Sequence, residues 1–391
     1  MISIHVILYI VMMIMIYIFA YIDYKKKRVI WSYPAISFIV PCYNDGESIR
    51  DTIESIYSSC KHLTIDVIVV DDKSTDNSLQ VIHDLQKEYS FLLIENEHNM
   101  GKVQTLNNNM KHLQSDIFFV IDADVVINTN AIHDVLARFA ADKKIGWVSC
   151  PYIPRNYGFR WWMQAIEYNM LTIIQWSYNI FSAISLRWGC LAVRKDAFNQ
   201  VGQFSVHTIT EDMDLAFKLN KHWRKVQQSF VSIHTVVPDT FKTWYKQKIR
   251  RNSWWTQTFL TYVSIWIKNP LHVAVLFLFN IFMFISAYQF FQTVTGIYSL
   301  RDILSFKIFM NIVSILYGDT ILRNMISKSW FMLLSLPYVI PLIKRYQDRY
   351  KILLLFPFSL IYIPLYTIVW LIGAIVGIKR YRELKPWVRA W

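Results

Sequence analysis

Four polar clusters in this 391-residue chain have types and spacing that suit chemistry on a phosphate-bearing substrate. Asp122-Ala123-Asp124 follows the apolar run DIFFVI, and two carboxylates so placed can hold a divalent cation against a diphosphate. An acidic pair at that point can equally cap the next helix. Asp71-Asp72 closes a second such run, IDVIVV. Thr210-Glu211-Asp212 precedes the amphipathic run MDLAFKLNKHW, where a carboxylate could take a proton from a hydroxyl, although the helix dipole alone favours acids there. Gln247-Lys248-Ile249-Arg250-Arg251, inside KTWYKQKIRRNSWW, offers cations to a diphosphate and rings to a sugar or a membrane interface; it also reads as a solvated or lipid-facing basic helix.

Strands must position these groups. From Ala35 onward, short β-branched runs (36–40, 65–70, 92–94, 117–121) alternate with stretches long enough for helices, the rhythm of a mostly parallel, Rossmann-like α/β sheet. Both acidic pairs then stand at the carboxyl edge of that sheet, where open α/β sheets bind ligands.

Oily ends flank this polar middle. Residues 2–22 are apolar over the length a bilayer requires, with Lys25, Lys26, Lys27 and Arg28 directly after them, which predicts an anchor with the following chain in the cytosol. After Pro270 come apolar stretches near 271–292, 304–322, 329–343 and 352–378, and then a basic tail. The expected organisation is therefore a membrane helix with a basic flank (1–34), a cytosolic domain (35–262) with interfacial helices near 157–188 and 241–262, and a membrane region of four segments (263–391). The formal charge of +13 concentrates at membrane edges, which argues for lipid surfaces and against nucleic acid. Cys42, Cys60, Cys150 and Cys190 show no CxxC spacing and are expected as free, buried thiols.

In order and spacing, Pro41-Cys42-Tyr43-Asn44, Val70-Asp71-Asp72, Gly101-Lys102, Asp122-Ala123-Asp124, Thr210-Glu211-Asp212 and Gln247 with Arg250 resemble the processive branch of family 2 glycosyltransferases, with flanking spans most like the poly-N-acetylglucosamine synthases. The resemblance covers about Ile36 to Trp255. It implies a glycosyltransferase A-type α/β domain inserted between transmembrane helices in the plasma membrane. Tyr43 would stack on the uracil of a UDP-sugar, Asp72 would hold the uridine, and Lys102 and Asp122 would lie near the nucleotide. Asp124 would bind Mg²⁺ or Mn²⁺, Asp212 would be the general base, and Gln247 and Arg250 would hold the diphosphate. Gly189 would line the acceptor site, and an accessory membrane subunit is compatible with this reading.

One position departs from the pattern. Where the family has Trp after the arginine, this chain has Arg251, so Trp255, one helical turn on, is the candidate platform for the acceptor sugar. A polysaccharide acceptor with inversion is expected. A membrane-lipid acceptor is the alternative, and a catalytically silent subunit is disfavoured because Asp72, Asp122, Asp124 and Asp212 are all present.

Overall fold

A computed structural model describes residues 4–156, 159–182, 190–205, 211–261 and 362–383. The apolar N-terminal run forms α1 (Ile4–Tyr24). After it, the runs rich in β-branched residues become β1 (Ile36–Cys42), β2 (Ile65–Asp71), β3 (Leu92–Glu95) and β4 (Ile117–Ile121), joined by α2 (Ile49–Ser59), α3 (Ser78–Gln86) and α4 (Lys102–Asn109). Then follow β5 (Val125–Val126), α5 (Thr129–Ala141), β6 (Ile145–Ser149), β7 (Tyr152–Pro154), α6 (Phe159–Tyr178), β8 (Cys190–Arg194), α7 (Lys195–Gln200), α8 (Glu211–Lys221), β9 (Lys225–Gln228), β10 (Ile233–Thr235), α9 (Phe241–Thr261) and α10 (Ile363–Glu383).

The main sheet has the order β3-β2-β1-β4-β8-β6-β9, and only β8 runs against its neighbours. A mostly parallel sheet was expected, and its reason is visible in the burial: β4 is buried at every position, as a strand covered on both faces must be. Alternate residues feed two apolar layers. Ile39, Ile68, Phe118 and Val120 face α4, α6, α7 and α8, whereas Phe38, Val40, Val69, Phe119 and Ile121 face α2, α3 and α5. The spacing Ile49, Ile53, Ile56 gives α2 one apolar stripe, and α5 begins where the Asn128 side chain accepts from Ala131 N at 2.9 Å. A smaller sheet, β5-β10-β7, stands beside the carboxyl edge of the first.

α1 is tied to the α/β domain by a buried polar hub. Asp23 accepts from Arg28 at 2.6 Å, Arg138 at 3.2 Å and Asn179 at 3.0 Å, and Arg138 donates in turn to Asp134 and Gln227. α1 packs along α6. This changes the reading of the aromatic stretch near 157–188: α6 is enclosed rather than interfacial, with Trp161, Met163, Ile166, Met170, Ile173 and Ile174 all buried. α9, over the other such stretch, keeps Phe241, Lys242, Tyr245 and Lys246 exposed.

Among the described residues no helix is long and apolar enough to cross a membrane. The stretches 271–292, 304–322 and 329–343 lie outside the described residues, as do residues 352–361 of the last one. What is described of that last stretch is α10, which lies closely along α9. A Cβ at Gly373 would stand 2.7 Å from Asn252 Cβ, and one at Gly377 would stand 2.4 Å from Ser253 O, so the backbones meet at the small residues Ser253 and Thr256. Gly377→Val is expected to part this pair at a cost of about 1–3 kcal/mol. A thermal midpoint unchanged from wild type in detergent would show that the contact does not matter.

Candidate active site

Parallel pairing brings the functional ends together. Cys42 pairs with Asp71 and Ile39 with Val120, so the residues just beyond β1, β2 and β4 share one edge: Tyr43, Asp45, Asp72, Asp122 and Asp124. Asp72 is buried, and its carboxylate accepts from Asn96 Nδ2 (2.8 Å), Met100 N (2.9 Å) and Gly101 N (2.8 Å). It thereby pins the loop leading to α4, where Gly101 takes a φ of 78° that a side chain would oppose. Lys102, the first residue of α4, pairs with Asp122. Tyr43 is half-buried beside them.

Asp124 accepts from Thr235 Oγ1 at 3.2 Å across the small sheet. Burial, followed by the charges of Asp122 and Asp45, raises its carboxyl to about 7. Burial and then Asp122 lift Asp45 to about 6. Sequence reasoning passed over Asp45, although it directly follows the Pro-Cys-Tyr-Asn motif. Three carboxylates that repel one another around one lysine form a site short of positive charge. Among the described residues no group of three or more His, Cys, Asp or Glu stands close enough to hold a metal by itself. The carboxylate oxygens of Asp122 and Asp124 are donors of the kind that hard divalent cations take, with water and an anionic ligand completing the coordination.

Asp212, the second residue of α8, accepts from Met213 N at 2.7 Å. Its carboxyl is raised to about 7, first by burial and then by Glu211, while Lys102 opposes the shift. Thr210 and Gly189 lie outside the described residues.

The α9 residues fall on two faces. Gln247, Arg250 and Trp254 share one: Gln247 Oε1 is buried with no partner among the described residues, and the Arg250 guanidinium lies 4.9 Å from the Trp254 ring centre. Lys248 and Arg251 lie on the other and explain the departure at 251. Glu167 of α6 accepts from Lys248 at 2.7 and 2.9 Å, from Arg251 at 2.5 Å and from the Tyr362 hydroxyl at 2.5 Å. Arg251 thus binds α6 to α9 and reaches Tyr366 of α10 at 3.2 Å. Trp255 is half-buried one turn further on. No sequence signal marked Glu167, because its partners lie 81 or more residues away. All four cysteines are free and buried, as expected.

Sheet order, edge carboxylates and the small companion sheet define the fold as the A-type α/β fold. Over 96% of both chains, with a TM-score of 0.59 and 16% identity, the fold is that of a mannosyltransferase from Pyrobaculum calidifontis solved with GDP-Man and Mn²⁺. Residues 37–202 match the family described as Glycosyl transferase family 2. It is 29% identical over 219 residues to a poly-β-1,6-N-acetyl-D-glucosamine synthase of Staphylococcus epidermidis and 27% identical to one of Staphylococcus aureus, in each case over 55% of this chain and 53% of the relative. The chain thus aligns with about half the length of these relatives.

Proposed function

We propose that the protein transfers a hexose, with GlcNAc the first candidate, from a UDP-sugar to a growing β-linked polysaccharide at a membrane surface, with inversion and with translocation of the product. The observation that carries this reading is the meeting of Asp122, Asp124, Lys102 and Asp212 at one sheet edge, a cation-seeking pair and a carboxylate of raised proton affinity around one space. Similarity to poly-β-1,6-N-acetyl-D-glucosamine synthases supports the choice of sugar.

Each residue has a distinct task in this reading. Tyr43 stacks on the base, and the Asp72-pinned loop cradles the uridine. Asp124, with Asp122 beside it, holds Mg²⁺ or Mn²⁺, which when bound neutralises the diphosphate as negative charge gathers on it. Gln247 and Arg250 take the far side of the diphosphate. Asp212 receives the proton of the acceptor hydroxyl, and a base opposite the leaving group produces inversion. Gly189 and Trp255 line the acceptor path. Exposed Val11, Ile14, Ile18 and Ile22 on α1, with Ile368, Leu371, Ile372 and Ile375 on α10, are apolar surface suited to lipid and support a plasma-membrane location.

One observation favours a second acceptor. Arg251 is committed to Glu167, so position 251 itself offers no ring to a sugar, which suits a single transfer to a membrane lipid. Purified full-length protein in detergent, given radiolabelled UDP-GlcNAc and Mn²⁺, separates the readings. A retained ladder of products supports the polysaccharide, and an organic-extractable product of one or two sugars supports the lipid. No transfer with any of several UDP-hexoses would refute the proposed donor. Trp255→Leu is expected to shorten the ladder at equal donor turnover, whereas Trp254→Leu is not.

A further inference from the structure

Tyr152 has no part in the site as described so far. It belongs to β7, whose register against β10 sets Tyr152 beside Ile233 and Pro154 beside Thr235, the residue that holds Asp124. The ring rests in apolar surroundings, packed against the core residues of both the main sheet and α6, with Tyr168 at 6.5 Å between ring centres. Its hydroxyl oxygen is buried and has no hydrogen-bond partner among the described residues. Yet the charges that act on it are those of Asp122, Asp124 and Asp212, the three carboxylates on either side of the proposed reaction. Burial, and then the charges of Asp122, Cys190, Asp124 and Asp212, hold the hydroxyl protonated far above the ordinary tyrosine range, so it keeps a proton to donate.

A buried hydroxyl without a partner lowers stability, and a bound ligand is one way in which such a group is completed. The space between the Asp122–Asp124 pair and Asp212 is where a transferring sugar has to lie, with its leaving group at the first and its attacker at the second.

We propose that the Tyr152 hydroxyl is a substrate-binding donor that hydrogen-bonds an oxygen of the transferring hexose between Asp124 and Asp212, and so helps to decide which sugar is accepted. The inference rests on the donor-site reading above. A site that hydrogen-bonds a sugar discriminates through that bond, whereas the nucleotide and diphosphate contacts do not involve it.

The test is Tyr152→Phe in the full-length protein, which removes one oxygen and keeps the ring. Three quantities are read: kcat/KM for the UDP-sugar, Kd for UDP with Mn²⁺ by calorimetry, and the thermal midpoint. The expected result is a kcat/KM lowered about 10- to 100-fold, a UDP Kd within twofold of wild type, and a midpoint equal to or above that of wild type, because the unpaired hydroxyl is gone. A purely structural tyrosine would show the reverse, a lowered midpoint with UDP binding weakened alongside, and that result overturns the proposal. So does a kcat/KM within twofold of wild type. Asp212→Asn measured in parallel keeps the two failures apart. If Tyr152→Phe is silent while Asp212→Asn is inactive, only the Tyr152 assignment fails, and if both retain transfer the reading of the space between Asp124 and Asp212 as the reaction site is itself wrong.

Discussion

Asp212→Asn is expected to lower the transfer rate about 10²- to 10⁴-fold while UDP binding stays close to wild type, because the change removes a proton acceptor and leaves the diphosphate contacts in place. The pH dependence carries the same assignment. A base works deprotonated, and the Asp212 carboxyl is raised to about 7 by burial and Glu211, so kcat/KM should climb as pH rises through that value and then level off. The residual activity of the asparagine variant should lack this limb. Rates within tenfold of wild type, or an acid limb that persists in the variant, would remove Asp212 from the role.

The second large effect concerns Asp124. Asp124→Asn and exhaustive chelation should each abolish binding of UDP with Mn²⁺ and turnover together, unlike the Asp212 variant, since both delete the link between protein and diphosphate. The same substitution should stabilise the metal-free protein. The native carboxyl is raised from 3.8 to about 7, so the folded state retains a proton that the unfolded chain has already released between those values. Stability then falls as pH rises through that window, and above it the charged Asp124 is a standing cost on the order of 1–3 kcal/mol. Asparagine carries no such charge, so at pH 8 without metal the variant should melt higher than wild type, and at pH 4 the two should nearly coincide. Full activity after chelation, or a lower melting point at pH 8, would count against the assignment.

Much of this site could be read from the chain before folding, and for a local reason. Asp72, Asp122 and Asp124 each follow an apolar run that can only be a buried strand, and a parallel sheet carries all such ends to one edge. Asp212 was legible because a helix start exposes its first turn. What escaped notice depends on pairing between distant segments. Thr235 reaches Asp124 only because β10 runs against β5, Tyr152 enters the site only because the three-residue β7 joins that same sheet, and Glu167 matters only because α6 lies against α9. Nothing in the local composition of those segments marks them. The surroundings of α6 are hidden for a related reason: a helix rich in Trp and Tyr looks alike whether it lies on lipid or beneath another helix, and α1 is what packs along it.

The antiparallel β8 has a consequence for how the chain is made. Strands β1 to β4 are contiguous in sequence and can pair as they leave the ribosome, but the outer edge of β4, the wholly apolar IFFVI, is filled by a strand that begins only at Cys190. At about 5–20 residues per second, that edge stands open for several seconds of synthesis. An unpaired apolar edge is a template for wrong partners. The nascent chain therefore passes through an obligatory period of aggregation risk, and substitutions that delay β8, even far from any substrate, should reduce yield before they reduce activity.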